Sequence, residues 1–205
     1  MTVVAYRHAA YDSPWWVIPS ARAGRFNRAY EDEPTQYLAL HPLGPTAELL
    51  RHQLRGHTFD LADTILVNLW AVLVDTGAPL ADITFDNCVT DYGITPEELV
   101  GDDYVPTQAL ARRLRDAGVG GFTVPSAALP GTDNLILFGS RVAHPYLALP
   151  STPDECPTGH LTDGARPAHE VMSLVRFKGS PHAALDTWNA TGTYEKLDDP
   201  LADRW

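Results

Sequence analysis

Cysteine is scarce in this chain: Cys88 and Cys156 are the two in 205 residues, and they form no C-x-x-C pair. Neither a disulfide framework nor a zinc site follows from that spacing, and reduced thiols are expected. Positive charge is also in short supply, with 15 Lys and Arg against 26 Asp and Glu, a formal net charge of -11. A protein that grips the nucleic-acid backbone needs clustered cations, so direct nucleic-acid binding is not expected. A few local groups can still hold a small anion inside an acidic molecule, and an acidic surface suits a basic protein partner. Long apolar runs are missing as well. The longest, ILVNLWAVLV at 65–74, is too short to span a bilayer. The N-terminal MTVVAYRHAAYDSPWW lacks the basic stretch and apolar core of a signal peptide. The expectation is a cytoplasmic, soluble protein without a membrane segment.

Several catalytic signatures are absent too. The chain contains no G-x-x-x-x-G-K-[ST], no G-x-G-x-x-G after a strand, no G-x-S-x-G and no H-E-x-x-H. His52 and His57, five apart, fall on different sides of a helix, and His160 and His169 have no evident partner set. No metal site is expected.

What is present is an ordinary globular composition, 44% hydrophobic and 20% charged, long enough to bury one core. VVAYR (3–7) and TQYLAL (35–40) read as strands, and TILVNLWAVLVDTG (64–77) as a central one. A helix is predicted from about Thr46 to Gly56, with Leu49, Leu50 and Leu54 as its apolar stripe and Glu48 in its first turn. TPEELVG opens another helix on Pro96. PTQALARRLRDAG is the clearest helix, with Thr107 as N-cap, Leu110 and Leu114 on one face and Gly118 past its end. GGFTVPS (120–126) and NLILFG (134–139) read as strands; one more strand is expected within HEVMSLVRFKG (169–179), and a short helix at AALDTWNA. Strands and helices mix without steady βαβ alternation, which favours an α+β fold in one compact domain. Composition changes after Pro150, so 1–150 reads as a catalytic core and 151–205 as an extension packed on the same domain.

One polar constellation stands out. Arg25 lies in a turn that needs Gly24 and Asn27 for backbone reasons but does not need an arginine. Tyr37 lies in a strand, Glu48 in a helix, and Ser126 directly after Pro125 at a strand end. Taken singly, each has a bland role: a solvated arginine, a core tyrosine, a helix-dipole acid, a turn serine.

Taken in order, these residues resemble the RES-domain family. Its pattern is met by Tyr6-Arg7, by GRFN at 24–27, by QYLAL and TAELLRH, by TQALARRLRDAGVGGFTVPSA and by NLILFG, over about residues 5–145. The chain departs mildly from the family, with Ala23 before Gly24 and Phe26 where Trp is frequent. The resemblance implies a mixed-sheet core with flanking helices, similar to ADP-ribosyltransferases. It further implies the toxin of a toxin–antitoxin pair that degrades NAD+, with phosphorolysis of the nicotinamide–ribose bond as the described activity and an Xre-type helix-turn-helix antitoxin as partner. NAD+ is then substrate, inorganic phosphate co-substrate, and no cofactor is implied.

The residue types suit that chemistry. Cleavage of an N-glycosidic bond passes through an oxocarbenium-like state that a nearby carboxylate stabilises, and Glu48 is the candidate. An arginine fork matches pyrophosphate oxygens, which suits Arg25 with Arg7. Tyr37 offers a face to nicotinamide, Phe26 and Asn27 flank the arginine, and Ser126 can bond a ribose hydroxyl or the phosphate. The same residues would serve NAD+ hydrolysis or protein ADP-ribosylation, and a silent interaction module is a further alternative. Homodimer formation through Trp15-Trp16 is possible on sequence grounds.

Overall fold

Branched and aromatic residues set a seven-stranded sheet. The computed structural model describes residues 2–9, 23–30, 34–53, 68–75, 80–139, 147–150 and 169–199. Its strands are β1 (Thr2–Ala9), β2 (Thr35–Ala39), β3 (Asn68–Asp75), β4 (Ala81–Asp82), β5 (Gly121–Pro125), β6 (Asp133–Phe138) and β7 (Leu147–Pro150). They lie in the order β4-β5-β6-β2-β1-β3-β7. β4 and β5 run parallel and every other neighbouring pair antiparallel, so the sheet is mixed and the fold is α+β. The four strands predicted at 3–7, 35–40, 120–126 and 134–139 are all present. Of the strand predicted at 64–77, residues 64–67, 76 and 77 lie outside the described part, as do Trp15, Trp16, His57, Cys156 and His160.

Side chains alternate across a strand, so register assigns the faces. Tyr37 pairs with Ile136, Ala39 with Asn134, Val124 with Asn134, Phe122 with Ile136, and Tyr6 with Ala39. These residues share one face, whose core gathers Phe26, Phe85, Leu99, Leu110, Leu114, Phe122, Ile136 and Phe138. The other face buries Ala5, Leu38, Val72, Val74, Leu135 and Leu137.

The helices are α1 (Gly44–Gln53), α2 (Cys88–Tyr92), α3 (Pro96–Val100), α4 (Val105–Asp116), α5 (His169–Leu174) and α6 (Ala183–Thr191). α1 begins two residues before the predicted Thr46, because Pro45 is tolerated in a first turn that needs no N–H from it. Glu48 therefore stands past the first turn, which holds no acid. α4 likewise starts at Val105, with Pro106 in its first turn and Tyr104 as N-cap. Thr107 is thus inside the helix and free to use its hydroxyl elsewhere. The segment 169–179 holds no strand: α5 is followed by an irregular stretch. Its Val175 and Phe177 bury against Leu50, Ala128 and Leu129, and Arg176 between them is buried as well, so the short apolar run that reads as a strand packs as irregular backbone. One backbone bond, Arg176 N–H to Ala128 O at 2.8 Å, ties it to the loop after β5.

Cys88 is buried and unpaired, and burial pushes its thiol up to about 11, which makes it a packing residue. No helix among the described residues is long and apolar enough to cross a membrane.

α3 opens on a capping box. Thr95 Oγ1 accepts from Glu98 N–H at 3.2 Å, and Glu98 Oε2 accepts from Thr95 N–H at 2.9 Å. Replacing Thr95 by Ala should cost about 1 kcal/mol, seen as a lower urea midpoint at unchanged slope. Thr95→Ser should restore most of it.

Candidate functional site

Residues 24–27 fold back on themselves through the Gly24–Asn27 bridge, with Gly24 N–H on Asn27 O at 3.0 Å. An isolated turn of this kind would leave its carbonyls to water. Here α4 takes all four. Gln108 Nε2 donates to Gly24 O at 2.8 Å and to Asn27 O at 3.2 Å. Thr107 Oγ1 donates to Arg25 O at 2.7 Å, and Arg115 Nη2 donates to Phe26 O at 2.8 Å. The Arg115 guanidinium also lies over the Phe138 ring, 4.1 Å from its centre.

The sheet supports the turn from beneath. The Tyr37 hydroxyl accepts from Phe26 N–H at 2.9 Å and donates to Asn27 Oδ1 at 2.8 Å. Burial raises the Tyr37 phenol well above its ordinary value, so it stays a neutral donor. Phe26, 1% exposed, stacks on Tyr37 and meets Phe122 edge-on at 5.0 Å. Gly24 fits because it has no side chain: a Cβ there would stand 2.5 Å from Asn27 Oδ1 and 2.6 Å from the Tyr37 hydroxyl.

Arg25 is the turn's outward element. Its Nη1 donates to Leu99 O at 3.3 Å, and the guanidinium lies over the Tyr104 ring at 4.9 Å. Burial lowers its pKa, Arg51 adds to this, and Glu48 opposes it; an arginine so placed is still a cation at neutral pH. Glu48 projects from α1 toward the same place. Its Oε1 accepts from Asn134 Nδ2 at 3.1 Å, its Oε2 stands 3.7 Å from His52 Nε2, and its side chain keeps 33% of its surface exposed. The Tyr37 hydroxyl holds the turn that carries Arg25, and Asn134, which holds Glu48, shares the sheet face of Tyr37. Arg25, Tyr37 and Glu48, far apart in sequence, are thus brought to one face of the sheet.

The other expected residues fall elsewhere. Arg7 follows Tyr6 on β1, and strand alternation turns it to the face opposite Tyr37. Phe26 and Asn27 are core and hinge of the turn, with little surface left. Ser126 is fully buried at the end of β5. Its Oγ accepts from Ala128 N–H at 3.3 Å and Leu129 N–H at 3.1 Å, and its carbonyl accepts from His182 Nε2 at 3.0 Å.

A second polar group sits behind α1. Arg51, three residues beyond Glu48 and 2% exposed, donates from Nη2 to Asp102 Oδ1 at 2.5 Å and from Nη1 to Ala127 O. Arg176 Nη1 reaches the same Asp102 oxygen at 3.1 Å, and Gly179 N–H donates to Asp102 Oδ2 at 2.7 Å. Burial would raise the Asp102 pKa, but the Gly179 N–H and the two guanidinium groups outweigh it and hold it below the ordinary carboxylate range. Reading the sequence missed Arg51, Asp102, Arg176, Gln108, Arg115 and Asn134. Gln108 and Arg115 lie seven apart on α4, a two-turn polar stripe beside its apolar one, and that spacing was the one available signal.

A mixed sheet that carries a clamped arginine turn and a helix-borne carboxylate on one face defines the class: an α+β domain built around one polar site. A family model described as the RES domain matches residues 4–156, about three quarters of the chain, and the chain belongs to that family. It is 32% identical over 120 residues to the Mycobacterium tuberculosis protein named Probable NAD(+) phosphorylase Rv3189, covering 58% of this chain and 55% of that one. The matched part thus spans about half the length of this relative. The fold is similar to a chain in the crystal structure of the M. tuberculosis MbcT-MbcA toxin-antitoxin complex, with a TM-score of 0.64 at 19% identity over 85% of this chain and 89% of that one.

Two predictions follow from the geometry. Gly24→Ala should displace Asn27 and Tyr37, so the variant is expected to keep its far-ultraviolet circular dichroism yet unfold at a lower urea concentration than the parent. For Asp102 the folded-state pKa is lowered, so its contribution is present above the ordinary carboxylate value of about 4 and is lost as pH falls through the lowered one. Asp102→Asn should therefore be less stable than the parent at pH 7 and converge on it below about pH 4 in urea titrations. A gap that stays constant with pH would assign Asp102 no electrostatic role.

Proposed function

We propose that this chain is an enzyme that degrades NAD+ by cleaving the nicotinamide–ribose bond. Inorganic phosphate is the acceptor, and the products are nicotinamide and ADP-ribose 1″-phosphate. A cognate Xre-type antitoxin covers the site and keeps the activity in check. The observation that carries this reading is the meeting of Arg25, Tyr37 and Glu48 on one sheet face, with the arginine held outward by a turn whose every carbonyl is engaged. Membership of the RES-domain family, the name of the Mycobacterium relative and the toxin–antitoxin title of the structural neighbour support it.

In this reading Arg25 binds the pyrophosphate through its uncommitted guanidinium edge. Glu48 lies against the nicotinamide ribose, and its carboxylate opposes the positive charge that grows there as the C1″–N1 bond lengthens. The bonding pair leaves with the pyridinium nitrogen, which becomes neutral, so the leaving group takes no proton. A phosphate oxygen then forms the new bond to C1″. Tyr37 serves chiefly by fixing the turn, since its hydroxyl is committed to Phe26 and Asn27. Ser126 serves by holding the loop after β5, which also receives Arg51 through Ala127 O. Arg7, on the opposite face of the sheet, takes no part in substrate binding in this reading.

The test is nicotinamide release from NAD+ by the purified chain, with and without phosphate. Release that depends on phosphate and yields ADP-ribose 1″-phosphate is expected. Release independent of phosphate would mean that water or a protein side chain is the acceptor, and no release from folded protein would overturn the reading. Glu48→Gln should lower kcat by about 10²–10³ while leaving the fold intact. Arg25→Ala should act mainly on KM.

A further inference from the structure

Asn134 is the one member of the polar face that the reading above leaves without a task. It begins the NLILFG strand, pairs with Ala39 on β2 and Val124 on β5, and stands on the face of Tyr37, one diagonal step away. Its carboxamide is oriented by chemistry: a carboxylate can only accept, so the atom against Glu48 Oε1 at 3.1 Å is the NH₂. The carbonyl Oδ1 must then point the other way. There it is buried and has no hydrogen-bond partner among the described residues.

Such an atom is unusual. A buried amide oxygen left unpaired costs more than the net gain of a typical hydrogen bond, and native proteins keep few of them. Leucine or valine at this strand position would remove the cost and pack with Val124 and Ile136. What an asparagine supplies here, and a hydrophobic residue cannot, is a donor to Glu48 and an acceptor directed away from it.

We propose that Asn134 is a substrate-contacting residue of this site: Nδ2 fixes the Glu48 carboxylate, and Oδ1 accepts a hydroxyl hydrogen from the nicotinamide-bearing ribose. This rests on the NAD+-cleaving reading of the site and deepens it. A hydroxyl is the donor that lies beside a carboxylate acting on that sugar, and a bond to it positions C1″ against Glu48. Asn134 thus couples carboxylate and ribose through one rigid amide, held at the end of a strand paired on both sides. A strand-borne group of this kind is placed more accurately than one on a loop.

Three measurements decide it: the analogue series with the parent chain, the same series with two variants, and a pH profile. Nicotinamide release is followed for NAD+ and for analogues lacking the 2″- or the 3″-hydroxyl of the nicotinamide ribose, with the parent chain and with Asn134→Ala and Asn134→Ser. The intrinsic reactivity of each analogue is the same for every enzyme form and cancels in the comparison. One of the two deoxy analogues is expected to lose at least about fivefold more kcat/KM with the parent than with either variant, the mark of a shared contact. Additive losses for both analogues, in an active parent, would overturn the inference and leave the NAD+ reading standing. A parent that releases no nicotinamide from NAD+ overturns both.

The third measurement is the pH profile of Asn134→Asp. The charged and titratable groups about Glu48 are His52 on its own helix, Arg25, Arg51 and Tyr37, and all are unchanged in this variant. Two carboxyl groups in contact cannot both ionise readily, so the acid limb of kcat/KM should move to higher pH. Asn134→Ala should lose rate without moving that limb. An Asp variant whose limb coincides with the parent's would separate Asn134 from Glu48 and overturn the inference. If no variant folds, the parent alone is decisive: rates on both deoxy analogues equal to the rate on NAD+, after correction for their intrinsic reactivity, overturn it too.

Discussion

Four consecutive backbone carbonyls, those of Gly24, Arg25, Phe26 and Asn27, accept hydrogen bonds from three side chains of α4, and the site hangs on that clamp. Each bond is worth about 1 kcal/mol net, and the one from Arg115 somewhat more because it is charged. Their larger effect is geometric. With its carbonyls held from above and its amide and Asn27 side chain held by the Tyr37 hydroxyl from below, the turn has no freedom left to redirect Arg25. The guanidinium then rests on the Tyr104 ring with most of its donors uncommitted. Gly24 completes the arrangement by leaving room where any side chain would strike Asn27 and Tyr37.

The C-terminal part of the chain, beyond the residues matched by the family model, is bound into the same unit. Asp102 supplies the negative charge between Arg51 on α1 and Arg176 near the C-terminus, two cations that would repel each other without it. Two histidines add to this by using both ring nitrogens. His41 accepts from Leu43 N–H at the start of α1 and bonds Asp198 O through Nε2. His182 accepts from Leu185 N–H at the start of α6 and donates to Ser126 O, and burial keeps its pKa below the ordinary value. The helix that carries Glu48 and the loop that carries Ser126 are therefore both set by residues late in the sequence.

Much of the fold was legible because it rests on local patterns. The strands at β1, β2, β5 and β6 are short apolar or alternating runs between turn residues, and α4 announces itself by its apolar stripe and closing glycine. The misreadings were local in another sense. Pro45 and Pro106 each lie in the first turn of a helix, so α1 and α4 begin earlier than Thr46 and Thr107 suggested. Val175 and Phe177 fill a satellite core with the buried Arg176 between them, and no strand among the described residues stands beside them to pair.

By itself the sequence determined which residues could carry chemistry: a turn arginine, a strand tyrosine, a helix glutamate and a serine after proline, in the order of one family. Only the tertiary structure decided their roles. Strand register turned Arg7 to one face and Asn134 to the other, and a shift of one residue would have exchanged them. Thr107, Gln108 and Arg115 became the clamp on a turn some 80 residues earlier. Ser126 was turned into its own loop and Asp102 made the counter-charge to two distant arginines. Contacts of that range leave no periodicity behind them, because each depends on where the chain returns and not on what stands next to it.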